Sequence, residues 1–170
     1  MSAQHFPNAL WSEVLPGLWQ GGTDDYDVIG AGVASAHRIT LTHFDSVCTL
    51  YARANAASWN VKEIRYGFAD GDMSDFSPED DLAFAVREMH ADWKSGKRVL
   101  VRCQAGLNRS GLITALILIR DGYEPAEAVR LIRAGRGESA LCNDTFVRWL
   151  ENQADVKFWQ AGLIQQQKAG

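Results

Sequence analysis

A potential nucleophile, Cys103, and a potential anion-binding side chain, Arg109, are separated by only five residues. A thiolate is a good nucleophile, and the planar guanidinium of an arginine matches two oxygens of a phosphate group. Ser110 comes next, and the apolar run at 112–119 predicts a helix. The free amides at a helix N-terminus carry partial positive charge and favour bound anions. These residue types therefore indicate a cysteine nucleophile beneath a bound oxyanion.

The residues between the cysteine and the arginine can form the anion site with their backbone. Gly106 lets the chain adopt a positive φ or approach a ligand closely, and neighbouring amides can turn inward as a nest. We expect Cys103 to ionise readily in this field, and the Ser110 hydroxyl to give its proton to the sulfur in a second step. A structural thiol at a strand end is the alternative, but it leaves Gly106 and Arg109 unexplained. The predicted phosphate-binding residues are Gln104, Ala105, Gly106, Leu107, Asn108 and Arg109.

The elements that must position these residues alternate between strands and helices. Residues 99–101 predict a buried strand that leads into Cys103, and residues 44–51 and 62–68 predict two more strands. Ser77, followed by a proline, predicts the start of a helix. This alternation predicts an α/β fold, with a central, mostly parallel twisted sheet of about four to five strands and helices on both faces.

The pattern Cys103-x-x-Gly106-x-x-Arg109-Ser110, between an apolar strand and a helix, resembles the signature of the cysteine-dependent protein tyrosine phosphatase superfamily. The likeness is to its small dual-specificity branch, and residues 16–21 resemble the opening of that domain. The resemblance implies a phosphatase that forms a phosphocysteine intermediate and needs no metal or cofactor. Its substrates would be phosphotyrosine monoesters, with phosphoserine and phosphothreonine monoesters as further candidates.

The same resemblance implies a proton donor, because the family places an aspartate on a loop before the helix that precedes the cysteine strand. Here that loop holds Asp70, Asp72 and Asp75. Asp70 follows a predicted strand directly and lies 33 positions before Cys103, as in the small enzymes of the family. We therefore assign Asp70 as the general acid, worth about 10²–10⁴ in rate, with Asp72 second. A plain Asp70–Gly71 turn is the alternative interpretation.

Two further positions bear on the thiol. The family usually has histidine before the nucleophile, whereas this chain has Arg102. We hypothesise that Arg102 adds positive charge and keeps the thiol acidic; an outward-pointing arginine at a strand end is the alternative. Cys48 lies in a predicted neighbouring strand, where some small family members carry a cysteine that forms a reversible disulfide with the nucleophile. Cys48 is therefore a candidate redox partner, and a buried core thiol is the alternative.

The uncharged loop positions Gln104, Ala105, Leu107 and Asn108 bear on the substrate. Phosphoinositide 3-phosphatases of the superfamily have lysines there, so the pattern favours a phosphorylated protein or peptide. The Gly-x-Asn-Arg-Ser pattern also resembles RNA 5′-triphosphatases of the same superfamily. A catalytically inactive phosphopeptide-binding module is another alternative. A rhodanese-type sulfurtransferase is a third alternative, and such an enzyme would not need Asp70.

Size and charge limit the remaining possibilities. The 170 residues, 46% hydrophobic and 22% charged, fit one globular domain. We predict a lead-in at 1–12, a phosphatase domain at 13–160 and a tail at 161–170. The net charge of −4 disfavours nucleic acids and anionic membranes as partners. Three cysteines without a signal-peptide pattern predict a cytoplasmic location. We expect a monomer that binds phosphate or sulfate in its loop.

Overall fold

The described part of the chain contains five strands and six helices. The computed structural model describes residues 9–23, 39–74 and 76–162. The strands are β1 (Trp11–Leu15), β2 (Leu18–Gly21), β3 (Ser46–Thr49), β4 (Lys62–Arg65) and β5 (Val99–Arg102). The helices are α1 (Pro78–Asp81), α2 (Ala83–Lys94), α3 (Arg109–Arg120), α4 (Pro125–Arg136), α5 (Asp144–Asn152) and α6 (Val156–Gln160). None of these helices is long and apolar enough to span a membrane.

The five strands form one sheet in the order β1-β2-β5-β3-β4. β1 and β2 are antiparallel, and the other neighbouring pairs are parallel. Val99 lies opposite both Leu18 of β2 and Ser46 of β3, so these three strands end at the same edge. The predicted α/β fold, with a mostly parallel sheet flanked by helices, is confirmed. Because β5 is the central strand, the segment that begins at Cys103 leaves the sheet in the middle of this edge.

The side chains of β5 contribute to two hydrophobic clusters. Val99 and Val101 pack in the main cluster with the helices, and Leu100 packs in a smaller cluster on the other face, as the alternation of a strand requires. Helix α3 covers the face of the sheet that carries the main cluster, and residues 110–119 of this helix are all buried. Each buried Leu or Ile side chain contributes about 1.5–3 kcal/mol. This packing holds the N-terminus of α3 against the end of β5.

The first strand of the sheet begins two residues before the predicted domain start at residue 13. β1 begins at Trp11, inside the predicted lead-in, because Trp11 pairs with Gly21 and its ring meets Phe44 edge-on at 5.1 Å. Residues 1–8, 24–38 and 163–170, as well as Asp75, lie outside the described residues. The domain limits of 13 and 160 therefore stay a prediction.

Candidate active site

The sulfur of Cys103 lies at the end of the central strand. Cys103 is the first residue after β5 and is only 2% exposed. Its amide donates to Gly21 O of β2 at 3.2 Å. Its Sγ atom lies 3.3 Å from Oγ of Ser110, a fully buried residue in the first turn of α3. The structure thus brings the predicted nucleophile and the predicted hydroxyl donor into contact.

The loop at 104–107 turns its carbonyl groups away from its own centre. All four carbonyl oxygens accept hydrogen bonds from other parts of the chain: Thr23 N to Gln104 O (3.0 Å), Arg136 Nη2 to Ala105 O (3.3 Å), Gln20 Nε2 and Arg136 Nε to Gly106 O (both 3.1 Å), and Leu141 N to Leu107 O (3.0 Å). In a trans peptide the next N–H points the opposite way. The amides of residues 105–108 therefore point into the loop, which is the arrangement of an anion-binding nest.

Gly106 is required by the packing of this loop. Its φ is 74°, in the left-handed region that favours glycine. A Cβ atom at this position would lie 2.5 Å from the backbone nitrogen of Gly22, closer than real Cβ contacts. The loop and the end of β2 therefore meet backbone to backbone, and of the two uses that the sequence predicts for Gly106 the positive φ is observed.

Arg109 is the first residue of α3, and its guanidinium group has one nitrogen that is hydrogen-bonded within the described part of the chain and one that is not. Its Nη1 donates to Phe68 O at 3.1 Å, and its guanidinium carbon lies 5.6 Å from the centre of the Tyr51 ring. Its Nε is buried and has no hydrogen-bond partner among the described residues. An unsatisfied buried donor costs about 1–3 kcal/mol, more when it is charged. A bound oxyanion would supply the missing acceptor.

Two asparagine side chains hold the carboxylate of Asp70. Asn108 Nδ2 donates to Asp70 Oδ2 at 3.0 Å, and Asn143 Nδ2 donates to Asp70 Oδ1 at 2.8 Å. Asn143 Nδ2 also donates to Gly71 O at 2.9 Å. Because Asn108 directly precedes Arg109, the carboxylate of Asp70 is tied to the predicted phosphate-binding loop.

The alternative acid, Asp72, is engaged in a turn of its own. Its Oδ1 accepts hydrogen bonds from Oγ and from the amide of Ser74, at 2.5 and 3.0 Å. These bonds hold the pKa of Asp72 below its usual value. The geometry therefore favours Asp70 over Asp72 as the proton donor. Asp75 lies outside the described residues.

Arg102, at the position of the family's histidine, faces away from the sulfur. Consecutive residues of an extended segment project to opposite faces, and Arg102 turns toward β3 and β4. It donates to Thr49 Oγ1 at 2.9 Å and forms an ion pair with Glu63 Oε2 at 3.1 Å. Burial acts to raise the pKa of Glu63, but the Thr49 hydrogen bond and the charge of Arg102 lower it below the usual value. Arg102 thus stabilises the sheet, which does not support the hypothesis that its charge serves the thiol.

Cys48 lies on β3 opposite Val101, two residues short of the level of Cys103. With strands about 4.8 Å apart and a rise of about 3.3 Å per residue, the two cysteine Cα atoms are about 8 Å apart. A disulfide between Cα atoms more than about 7 Å apart needs backbone movement. Burial also raises the pKa of the Cys48 thiol to about 12. These properties are those of a core thiol, and the redox role of Cys48 stays a prediction.

Several residues that hold the site carry no signal in the sequence. Gln20 and Arg136 bind the loop from 86 and 30 positions away, and no local pattern marks either side chain as a loop contact. The sequence predicts either Asn143 or Asp144 as the cap of the helix that follows, and Asn143 Oδ1 does accept from Thr145 N at 3.0 Å. A capping asparagine, unlike a capping aspartate, also has N–H groups to donate. The side-chain N–H of Asn143 is therefore the sequence feature that could have suggested a hydrogen bond to a carboxylate such as Asp70.

Comparison with known proteins assigns the chain to a family. Residues 34–155 match the family model of the dual specificity phosphatase catalytic domain. The chain therefore belongs to the dual specificity phosphatase family and is a cysteine-based phosphatase. Comparison with curated protein sequences finds no match.

Solved structures share the fold over almost the whole chain. Human DUSP28 is 20% identical, with 94% of this chain and 99% of that chain covered and a TM-score of 0.66. DUSP15 is 19% identical, with 92% and 96% covered and a TM-score of 0.70. PTPMT1, in a complex with PI(5)P, is 17% identical, with 95% and 100% covered and a TM-score of 0.62. At these identities the likeness shows a common fold.

Proposed function

We propose that this phosphatase hydrolyses phosphotyrosine monoesters, and phosphoserine and phosphothreonine monoesters, in proteins or peptides without a metal ion. Cys103 is the nucleophile, Arg109 and the loop amides bind the phosphoryl oxygens, and Asp70 is the general acid. The observation that carries the proposal is the hydrogen bond between Asp70 and Asn108. It links a carboxyl group to the rim of the loop that follows the cysteine.

In the first step the sulfur attacks phosphorus in line with the leaving group. A lone pair of the Cys103 thiolate forms the S–P bond, and the electron pair of the breaking P–O bond goes to the leaving oxygen. Protonated Asp70 gives its proton to that oxygen, so the product leaves as a phenol or an alcohol. The amides of residues 105–108 and the guanidinium of Arg109 stabilise the charge on the phosphoryl oxygens. They supply the positive charge that a metal ion supplies in other phosphatases.

In the second step water hydrolyses the phosphocysteine. Ionised Asp70 takes a proton from the water as its oxygen attacks phosphorus, and the S–P bond breaks with its electron pair returning to the sulfur of Cys103. The Ser110 hydroxyl, 3.3 Å from this sulfur, donates a hydrogen bond to the departing thiolate. Inorganic phosphate is released, and Asp70 again carries its proton for the next turnover.

The uncharged loop supports a protein or peptide substrate. Gln104, Ala105, Leu107 and Asn108 offer no cation for a second phosphate of a polyphosphorylated headgroup or of an RNA 5′-triphosphate. A phosphopeptide has one phosphoryl group, which Arg109 and the loop amides can bind alone. We also expect a monomer in the cytoplasm.

The proposal is tested by the release of p-nitrophenol from p-nitrophenyl phosphate in the presence of EDTA. Cys103→Ser should abolish the activity, and Asp70→Asn should lower kcat by about 10²-fold or more. Asp72→Asn is the matched control on the same loop and should change kcat less than about threefold, because among the described residues Asp72 bonds only to Ser74 of its own turn. Activity that survives Cys103→Ser, or equal losses in the two aspartate variants, would contradict the mechanism.

The substrate class is tested with a panel of phosphopeptides, triphosphorylated RNA, PI(5)P and thiosulfate, each at equal concentration. We expect the highest kcat/KM with phosphotyrosine peptides. Faster phosphate release from RNA or from PI(5)P would assign the site to that substrate instead. Sulfur transfer from thiosulfate would indicate a sulfurtransferase, and phosphopeptide binding without phosphate release would indicate an inactive binding module.

A further inference from the structure

Arg136, the last residue of α4, lies buried behind the phosphate-binding loop and is only 4% exposed. On one side its Nε donates to Gly106 O at 3.1 Å and its Nη2 to Ala105 O at 3.3 Å. On the other side its Nη1 donates to Ala9 O at 2.7 Å and to Ser12 Oγ at 2.9 Å. One guanidinium thus joins the loop to the chain segment at 9–12.

The charge of Arg136 has an unusual environment, because none of these four acceptors is a carboxylate. Burial lowers the pKa of Arg136 to about 10, and the nearby Cys103 sulfur acts in the opposite direction. The guanidinium is therefore charged at neutral pH. A buried charge is normally paired, since an unpaired one costs several kcal/mol. Among the described residues no carboxylate accepts a hydrogen bond from Arg136, and the anion that its charge can face there is the one held by the loop, whether thiolate or phosphoryl group.

We propose that Arg136 is a positioning residue for the phosphate-binding loop and the buried countercharge of the anion in that loop. By holding the carbonyls of Ala105 and Gly106, it directs the amides of the next residues toward the anion. Through Ser12 and the carbonyl of Ala9, the segment at 9–12 contributes to the geometry of a site almost a hundred positions later in the chain. This inference rests on the proposed function, because that reaction is what places a phosphoryl group in the loop during turnover.

The effect of Arg136 is measured with two substitutions and two readouts, the affinity for tungstate by calorimetry and kcat/KM for p-nitrophenyl phosphate. Arg136→Lys keeps the charge, but one ammonium group cannot reach both sets of acceptors. Arg136→Met loses the charge as well. A misplacement of about 1 Å can cost up to about 10²-fold in rate. We therefore expect both readouts to fall about tenfold in the lysine variant and about 10²-fold in the methionine variant.

Arg120 provides a matched control. It is the last residue of α3, and its Nη1 also donates to two backbone carbonyls, Trp159 O at 2.8 Å and Ala161 O at 3.0 Å. It lies about 16 Å along the helix from Arg109. Arg120→Lys should change neither readout by more than about twofold. Equal losses in the Arg120 and Arg136 variants would mean that both act through stability alone, and would overturn the proposal.

A milder substitution keeps the test decisive if the Arg136 variants do not fold. Ser12→Ala removes one of the four hydrogen bonds of Arg136 and leaves the loop contacts in place. We expect tungstate affinity to fall about threefold with little change in the unfolding temperature, and an unchanged affinity would overturn the proposal. Wild-type protein that binds tungstate but hydrolyses no phosphate ester would contradict the proposed function only. Wild-type protein that binds no oxyanion would overturn both.

Discussion

Substituting Asn143 by aspartate separates the two functions of this side chain. The oxygen of Asn143 caps α5, and its nitrogen donates to Asp70 and to Gly71 O. An ionised aspartate can still accept the hydrogen bonds of the cap, but it has no hydrogen to donate to the carboxylate of Asp70. Asn143→Asp should therefore preserve the helix and release Asp70, whereas Asn143→Ala should lose both functions.

The magnitudes follow from the hydrogen bonds that each substitution removes. A cap substituted by alanine costs about 1 kcal/mol, which lowers the Tm of a domain of this size by about 2–4 °C. Asn143→Asp should leave the Tm within about 1 °C of wild type. In both variants Asp70 keeps its bond to Asn108. Since a positioned acid is worth about 10²–10⁴ in rate, losing one of its two amide partners should cost about 10-fold to 10²-fold.

The assay compares two leaving groups. Phenyl phosphate releases a weakly acidic phenol and depends on protonation by Asp70, whereas p-nitrophenyl phosphate releases a more acidic phenol and depends on it less. We expect kcat/KM for phenyl phosphate to fall about 10-fold to 10²-fold in Asn143→Asp, and kcat/KM for p-nitrophenyl phosphate only about threefold. If the ratio of the two values equals that of the wild type, Asn143 does not position the acid and the reasoning is refuted.

Three other features give direct predictions. Gly106→Ala should destabilise the fold by about 2 kcal/mol or more in urea unfolding, because a left-handed φ alone costs an alanine about 1–2 kcal/mol. The same variant should abolish tungstate binding. Gly71→Ala is the control, because a Cβ atom at that position meets nothing within 4 Å. The Cys48 thiol stays protonated when folded and ionises when unfolded above pH 9, so stability falls with rising pH. From pH 8 to pH 10 the unfolding free energy of wild type should fall by about 1 kcal/mol relative to Cys48→Ala, and parallel pH curves would contradict the shift. Arg102→Met breaks the ion pair with Glu63, which keeps its pair with Arg65, and should cost about 1–3 kcal/mol in urea unfolding without slowing iodoacetate alkylation of the nucleophile; slower alkylation would restore a role for the charge of Arg102.

The centre of the site could be predicted from sequence because its parts are local. Cys103, Gly106 and Arg109 lie within seven residues, so strand, loop and helix signals along a short stretch determine how they meet. The mostly parallel sheet was predictable for a similar reason, since the alternation of apolar strands and helices leaves few ways to connect them. Asp70 required the family resemblance, because nothing in its own segment distinguishes it from a residue in an ordinary turn.

The support around this centre was not predictable, because it depends on interactions between distant segments. Gln20 and Arg136 act on the loop through hydrogen bonds from a strand and from a helix end, and such bonds leave no periodic pattern. Arg102 was ambiguous for a different reason. A charge next to a cysteine in sequence suggests contact, but the alternation of an extended segment turns it to the opposite face of the sheet, where Glu63 neutralises it.

The hydrogen bond from Arg109 to the carbonyl of Phe68 has a consequence for ligand recognition. An arginine side chain carries about 2 kcal/mol of rotamer entropy, which a flexible arginine loses when its ligand arrives. Here the Phe68 carbonyl and the Tyr51 ring restrict the side chain through contacts within the protein itself. That entropy is lost during folding rather than during association, so even a very small oxyanion can be captured with useful affinity. Calorimetry on such an anion should accordingly show a small entropic penalty.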